Sequence, residues 1–408
     1  MSPRTAVSDA YRNRSRASTF SRFGLFLCYL AFPAGAMFCR AAGIDYPREW
    51  IDAVWGVLLL VQSGLLLRGA GSLRGPSAAT VAIAIALGTE AALKLTYAAV
   101  MGMRIDPLAL ALETKPLVYL LVAGMMMAFC ARPTAGDWVF FGKALALLIV
   151  SDTCVLSIAE RSFARPIGSG EVNYDAFLLA LALGAAVADR REERRRFRRF
   201  DILLIGVALL LTQSRTGLFA GMVAYFICSH TAPYKKMIAL AIGITGALLF
   251  FLLRGLQADV DSLDRYWMWV AGVSTLGTPS VFWFGSTPGR PIPSQIPEAV
   301  ATLWEAQTER LTIPGVYPFN LHAFWLRVAV SYGAPVSVLI LVFAIVFSLR
   351  ARKTRSFRYV AMLAGISGFT MGLFYLSNVS IPLLLALGGA ATDKGHAGLP
   401  EQLRSRAS

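Results

Sequence analysis

The stretch Leu211-Thr212-Gln213-Ser214-Arg215-Thr216-Gly217 places an arginine inside an apolar run that extends over residues 202–228. Ionisable side chains at membrane depth are energetically costly and mark functional cavities. Basic clusters flank the run on both sides, at 190–199 and at 234–236. Since basic flanks face the cytoplasm and a single helix would separate them, the sequence predicts two short helices that fold back at Ser214-Arg215.

The depth of Arg215 follows from the length of the first short helix. Residues 202–213 correspond to about 18 Å of α-helix, whereas the hydrocarbon core of a bilayer is about 30 Å thick. Broken backbone at that depth must line a cavity or be buried in protein. We therefore expect Arg215 in a polar pocket that opens to the outer side of the membrane.

The composition excludes an ordinary soluble domain. Of the 408 residues, 56% are hydrophobic and only 15% are charged. The formal net charge is +15, but the basic residues cluster in short loops and form no continuous surface. Membrane lipid is therefore an expected partner, and nucleic acid is not.

The apolar runs predict an all-α polytopic membrane protein with about twelve transmembrane helices, some of them short or broken. Basic residues follow the even-numbered runs, so both termini are expected in the cytoplasm. The first run could be mistaken for a signal peptide, but it is long and lacks a small-residue cleavage site, which favours a retained helix. The runs lie at 23–39, 50–67, 77–98, 107–130, 137–158, 174–188, 202–213, 216–229, 236–254, 321–348, 358–377 and 380–391.

The predicted organisation has three parts: a cytoplasmic N-terminal segment at 1–22, a polytopic membrane domain at 23–391 and a cytoplasmic tail at 392–408. One connection, the long loop at 256–320, lies between the ninth and tenth helices on the outer, periplasmic side. It is rich in Trp, Pro and Gly, and a short helix is predicted at 296–310. Connections of this length usually carry function.

His322 lies where the long loop returns to the membrane, next to Trp325 and Arg327. One interpretation is an interfacial histidine that is hydrogen-bonded in a belt with Trp325. The other is a general base that acts near neutral pH on the same face as Arg215.

Three arginines are expected at the outer face: Arg215, Arg265 and Arg290. A planar, permanently charged guanidinium suits phosphate oxygens, and several together could hold a pyrophosphate. Alternatively, Arg265 and Arg290 are solvated loop residues. Asp259 and Asp261 resemble an acidic pair that holds a divalent metal, but two residues are a weak motif, so neither a metal nor a cofactor is expected.

Four further charges fall within the third and fourth runs. They are interpreted either as mutually neutralising pairs or as residues that line the same cavity as Arg215. The four are Glu90, Lys94, Glu113 and Lys115.

Several elements resemble the O-antigen ligase and O-antigen polymerase superfamily. Residues 212–217, T-Q-S-R-T-G, are similar to its T-x-S-R-x-G/A element, and Asn173 with Ala176 is similar to an N-x-x-A helix start. In the long loop, the sequence resembles the R-x3-W and glycine-rich pattern, and after it an H-N-x-x-L-x6-G element. The matching residues there are Arg265, Trp269, Pro279, Gly285, Gly289, His322, Leu326 and Gly333, whereas Ala323 stands where the family has asparagine.

The resemblance covers about residues 170–350 and implies a function. It implies an inner-membrane glycosyltransferase that moves a glycan from a polyprenyl-pyrophosphate carrier to an acceptor hydroxyl at the periplasmic face. The acceptor would be lipid A core for a ligase or a glycan repeat unit for a polymerase. Arg215, Arg265 and Arg290 would bind the pyrophosphate, and His322 would remove the acceptor proton.

A second hypothesis is an exporter of lipid-linked glycan or another secondary transporter. Twelve passes and a broken helix suit a transporter. The lack of internal symmetry and the single long loop favour the transferase.

Overall fold

Every regular element in the described part of the chain is helical. The helices, labelled in chain order, are α1 (Arg22–Ala41), α2 (Pro76–Val100), α3 (Pro107–Phe129), α4 (Ala135–Glu160), α5 (Val172–Ala188), α6 (Arg195–Leu211), α7 (Arg215–Cys228), α8 (Val260–Leu276), α9 (Pro279–Phe284), α10 (Phe324–Tyr332), α11 (Ala334–Arg350) and α12 (Arg355–Ser367). The computed structural model describes residues 22–44, 46, 56–57, 76–129, 133–169, 172–188, 195–229, 231–238, 240–241, 243–245, 260–293, 311–350, 355–368, 379–380, 382–383 and 385–386.

Three helices within these ranges are long and apolar enough to cross a membrane: α1, the Val81–Val100 part of α2, and α4. Helices α5 and α7 are apolar but shorter. These helices indicate a helical, membrane-associated protein. The total of about twelve passes stays a prediction, because the runs at 50–67, 236–254 and 380–391 lie mostly outside the described residues.

Helix α5 lies at the centre of the largest hydrophobic core. Nearly all of its side chains are buried, and α1, α4, α6, α7 and α12 all contribute residues to the same core. Small residues permit close approach: a Cβ atom at Gly217 of α7 would lie 2.5 Å from the Cβ of Ala176. On the α12 side, Tyr359 packs against Gly184 and donates a hydrogen bond to the carbonyl oxygen of Ala180.

The chain reverses between α6 and α7, as the sequence predicts. Gln213 has φ 52, a left-handed conformation that is uncommon for residues other than glycine. Ser214 then caps α7, because its Oγ accepts a hydrogen bond of 3.1 Å from the backbone N–H of Gly217. A Cβ at Gly221 would overlap Leu209, so α7 packs back along α6.

The prediction of a single tenth helix at 321–348 is wrong. The structure divides this run into α10 and α11 at Gly333, which has φ 85. A Cβ at this position would lie 2.6 Å from the carbonyl oxygen of Trp283. The backbone of the long loop therefore approaches the run at its only residue without a Cβ, and the helix breaks there.

The long loop contains more helix than the sequence analysis predicts. Helices α8 and α9 lie within it, whereas the predicted helix at 296–310 falls outside the described residues. α8 buries Met268, Ala271 and Thr275, and Gly272 packs against Leu326 of α10. These positions have the three- and four-residue spacing of a helix face, which is the sequence signal that could have predicted α8.

Candidate functional site

The predicted site residues Arg215 and His322 lie at the same end of the helical bundle. α5 and α7 begin together at this end. Tyr359, in the first half of α12, packs against Gly184 in the second half of α5 and lies near Cys228 at the end of α7. Since the rest of α12 also contacts α7 and α5, α12 runs in the opposite direction to both. Gly368, just after α12, accepts a hydrogen bond of 3.2 Å from the backbone N–H of Trp325. The start of α10, with His322 before it, is therefore held at the end that carries Arg215, called the Arg215 end below.

The turn between α6 and α7 is held by a residue that the sequence analysis missed. Arg165 donates from Nε to the carbonyl oxygen of Thr212 at 3.1 Å and from Nη2 to Oδ1 of Asn173 at 3.5 Å. Thr212 is fully buried and bonds back to Leu209. Arg215, the first residue of α7, is exposed. Arg215 is thus exposed at a turn whose backbone is held by Arg165.

Two buried carboxylates hold the connection that carries Arg165. Asp152 of α4 accepts hydrogen bonds of 2.9 Å from the backbone of Ile167 and Gly168 and pairs with Arg40 of α1. Asp175 of α5 accepts bonds of 2.8 and 2.7 Å from the backbone N–H and hydroxyl of Ser169. Buried charges are stable only when paired and hydrogen-bonded, so these contacts fix the connection.

A second group of contacts holds Arg290. The backbone N–H of Gly289 donates to Oε2 of Glu113 at 3.0 Å, and its carbonyl oxygen accepts from the N–H of Asp106 at 2.9 Å. Gly289 has φ 73, and a Cβ would lie 2.6 Å from the side chain of Ile105. The next residue, Arg290, contacts the sulfur of Met103 at 2.9 Å. The glycine turn is therefore attached to α3 and to the residues before it.

Asp106 connects α3 to the far part of the long loop. One carboxylate oxygen accepts bonds of 2.9 Å from the N–H groups of Leu108 and Ala109 and so caps α3, while the other accepts a bond of 2.7 Å from the hydroxyl of Thr312. Burial alone would raise the pKa of Asp106, but the hydrogen bonds from Ala109 and Thr312 outweigh it and bring the pKa below the ordinary 3.8. The ionised carboxylate is thus the form that holds the loop.

His322 is half-buried, and neighbouring contacts fix its backbone. Its N–H donates to the sulfur of Met268 in α8 at 3.2 Å. Three residues later, the indole N–H of Trp325 donates to the carbonyl oxygen of Gly365 at 2.9 Å. Arg327 is buried and donates to the carbonyl oxygen of Leu112 in α3 at 3.1 Å. α10 therefore bridges α8, α12 and α3.

The four charges of the third and fourth runs do not act alike. Glu90 and Lys94 form the predicted pair at 2.8 Å, and Lys94 also donates to the carbonyl oxygen of Ser331 at 2.7 Å. Glu113 instead binds the glycine turn, and its Oε1 has no hydrogen-bond partner among the described residues. The ammonium group of Lys115 lies 5.9 Å from the ring centre of Tyr119. Lys94, Glu113 and Lys115 thus contact different partners. These are the carbonyl oxygen of Ser331, the glycine turn and the ring of Tyr119, respectively.

The remaining predicted residues are only partly placed. Arg265 lies in α8, four residues before Trp269, and Asp261 lies in the same helix, whereas Asp259 falls outside the described residues. Over the described ranges, no three His, Cys, Asp or Glu residues are grouped so that they could hold a metal ion. Whether Arg215, Arg265 and Arg290 converge on one pyrophosphate stays a prediction.

The elements that carry the family resemblance pack together in two groups. In the first, Asn173 and Ala176 meet the 212–217 turn through Arg165 and Gly217. In the second, the glycine pattern of the long loop meets α10, since Gly285 packs against the carbonyl group of Ser331 and Gly333 against that of Trp283. Motif residues that are far apart in the chain therefore pack against each other at two places in the fold.

No protein-family model matches the chain, and no curated protein matches it.

Proposed function

We propose that the chain is a membrane glycosyltransferase of the O-antigen ligase or polymerase type, which uses a polyprenyl-pyrophosphate-linked glycan as donor. The observation that carries the proposal is the packing of the motif segments into two groups, one around the 212–217 turn and one between the long loop and α10. Packing accounts for the glycines of these motifs. It does not account for an exposed arginine on a turn that buried polar contacts hold in place.

The proposed chemistry needs a base and a site for the leaving group. His322 takes the proton of the acceptor hydroxyl, and the hydroxyl oxygen forms the new bond to the anomeric carbon. The bond from that carbon to the pyrophosphate oxygen breaks, and the pyrophosphate leaves with the bonding electrons. Arg215, with Arg265 and Arg290, stabilises the charge that develops on the leaving group. Neither a metal nor a nucleotide is required for this step.

The proposed setting is the bacterial inner membrane. About twelve passes place both termini in the cytoplasm and the long loop in the periplasm, as the basic clusters predict. The acceptor is lipid A core or a second glycan repeat unit. Either acceptor offers a hydroxyl on the periplasmic side, which the Arg215 end faces in this proposal.

The test is donor turnover by the purified protein in liposomes, measured as release of polyprenyl pyrophosphate. We expect turnover with and without EDTA, a rate that rises from mildly acidic to neutral pH as the imidazole loses its proton, and a loss of about 10² to 10⁴ in rate for His322→Gln. His230→Gln is the matched control, since His230 precedes the basic cluster at 234–236, which is expected on the cytoplasmic side.

Three results would contradict the proposal. Undiminished turnover in His322→Gln would show that His322 is not the general base. Loss of activity in EDTA, restored by Mg²⁺ or Mn²⁺, would indicate that a metal ion held by Asp259 and Asp261 stabilises the charge of the leaving group. Movement of intact donor across the membrane without pyrophosphate release would identify an exporter.

A further inference from the structure

Helix α9 exposes three consecutive large aromatic side chains. The exposed fractions of Phe282, Trp283 and Phe284 are 40%, 59% and 71%, whereas Val281 in the same helix is buried. An apolar patch of this kind on a folded protein marks contact with another protein or with a membrane. The position of α9 relative to α11 decides between a protein partner and a membrane.

The position of α9 against α11 sets its depth. α11 has 17 residues and is about 25 Å long, so its first residue lies close to the outer boundary of a hydrocarbon core of about 30 Å if Arg350 lies at the cytoplasmic boundary. The carbonyl oxygen of Trp283 would lie 2.6 Å from a Cβ placed on Gly333, directly before α11. α9 is therefore level with the outer end of α11.

α11, which contacts α9, also exposes large apolar side chains. Val338 and Leu339, in the first two turns of α11, are large, apolar and exposed. In a helix that crosses the membrane, such side chains face lipid. Tryptophan is enriched at this depth, and phenylalanine is common on the apolar face of helices that lie in the membrane interface.

We propose that α9 is a membrane-contact element: Phe282, Trp283 and Phe284 insert into the outer leaflet beside α11 and hold the long loop at the lipid surface. The proposal rests on the proposed membrane topology and not on the transferase activity. It places the glycine turn at 285–290, which follows α9 directly, at headgroup level. A lipid-linked pyrophosphate has its charges at that level.

Spin labels test the proposal in the full-length protein, reconstituted in vesicles of phosphatidylethanolamine and phosphatidylglycerol. The native cysteines are replaced, and single cysteines are introduced as Phe284→Cys, Leu339→Cys and Arg104→Cys. Leu339 serves as the lipid-facing control and the exposed Arg104 as the water-facing control. We expect the ratio of collisions with oxygen to collisions with a water-soluble nickel chelate to be several-fold higher at position 284 than at position 104, and close to that at position 339.

Two outcomes would overturn the proposal. A ratio at position 284 equal to that at position 104 would place α9 in water. Low accessibility to both reagents, with dipolar broadening between labels on two copies, would show that a second copy of the chain covers α9. Neither result depends on donor turnover, so failure of this proposal is distinguishable from failure of the proposed function.

A second measurement avoids cysteine replacement. Lipids brominated near the headgroup should quench part of the tryptophan emission of the unaltered protein, and Trp283→Phe should lower the quenched fraction. Trp138→Phe is the control, because Trp138 is buried in the main core. An unchanged quenched fraction in Trp283→Phe would contradict insertion of α9.

Discussion

Arg215 occupies an unfavourable position for a cation. It is the first residue of α7, where the aligned peptide dipoles produce a positive partial charge. A second arginine, Arg165, is bonded to the same turn. Helix N-termini also bind phosphate groups through their backbone N–H groups. The helix start and the two arginines are therefore the electrostatic basis for the proposed pyrophosphate role of Arg215.

Arg215→Lys should abolish transfer while the amount of protein in the membrane stays unchanged. A lysine keeps the charge but cannot form two parallel hydrogen bonds to phosphate oxygens. The measurement is polyprenyl pyrophosphate release at equal protein, with Arg104→Lys as a matched exposed control. Unaltered turnover in Arg215→Lys would exclude a bidentate role for this residue.

Asp106→Asn should weaken the attachment of the long loop to α3. The substitution removes a buried charge that accepts hydrogen bonds from both segments, and such bonds contribute about 2 kcal/mol. We expect a lower melting temperature of the purified protein. Asp201→Asn is the control, because Asp201 forms a partly exposed pair with Lys143 that contributes at most about 1 kcal/mol. Equal melting temperatures for Asp106→Asn and the wild type would contradict the anchoring role.

The same carboxylate predicts how stability depends on pH. Because the pKa of Asp106 is lower in the folded protein than the ordinary 3.8, its stabilisation is complete above pH 3.8 and is lost as the pH falls through the folded value. The wild type should therefore lose melting temperature in this acid range more steeply than Asp106→Asn. Parallel curves for the two proteins would contradict the low pKa.

At the scale of elements, the contact between α5 and α7 depends on the absence of one Cβ atom. Gly217→Ala would place a methyl group 2.5 Å from the Cβ of Ala176, which helix backbones hold in place. Overpacking of this kind costs about 1–3 kcal/mol. Gly206→Ala in α6 is the matched control, since nothing lies within 4 Å of the added atom and alanine favours a helix.

Thermal unfolding of the two variants checks this prediction. Gly217→Ala should melt at a lower temperature than the wild type, whereas Gly206→Ala should melt at the same temperature or higher. If both variants melted alike, the close approach of α7 to α5 would not limit stability.

Charge patterns predicted the elements better than apolar length did. The reversal at Ser214-Arg215 is predicted from the expectation that two basic clusters face the same side of the membrane, and the structure confirms the reversal. The break at Gly333 was missed, because glycine is common within transmembrane helices and only the distant Trp283 carbonyl makes it a break point. The residues next to Gly333 in the sequence do not reveal its contact with Trp283.

At the scale of the whole molecule, topology is directly testable. Reporters fused after Arg199, Lys235 and Lys353 should all be cytoplasmic, and one after Gln295 should be periplasmic; positions 295 and 353 lie outside the described residues. Alkaline phosphatase and green fluorescent protein fusions at each site give opposite signals. A cytoplasmic signal at Gln295 would separate the long loop from the face that the proposed chemistry requires.

The sequence draws attention to residues whose type is unusual for their surroundings. Arg215 within an apolar run and His322 at the end of the long loop are two such residues, and their roles stay predictions. Arg165 and Asp106 were missed, since their partners, Thr212 and Thr312, lie far away in the chain. Asp106 did carry one local signal: an aspartate directly before a proline is a common helix start.

The burial of α5 has a consequence for the order of synthesis. This helix emerges from the ribosome when only the earlier part of its surroundings exists, whereas α6, α7 and α12 are translated later. The hydrogen bond between Tyr359 and Ala180 joins residues that are 179 positions apart. A nascent chain that stops before α12 therefore leaves the small-residue face around Gly184 uncovered, and that face stays open to lipid or to quality-control proteases until α12 (Arg355–Ser367) is translated.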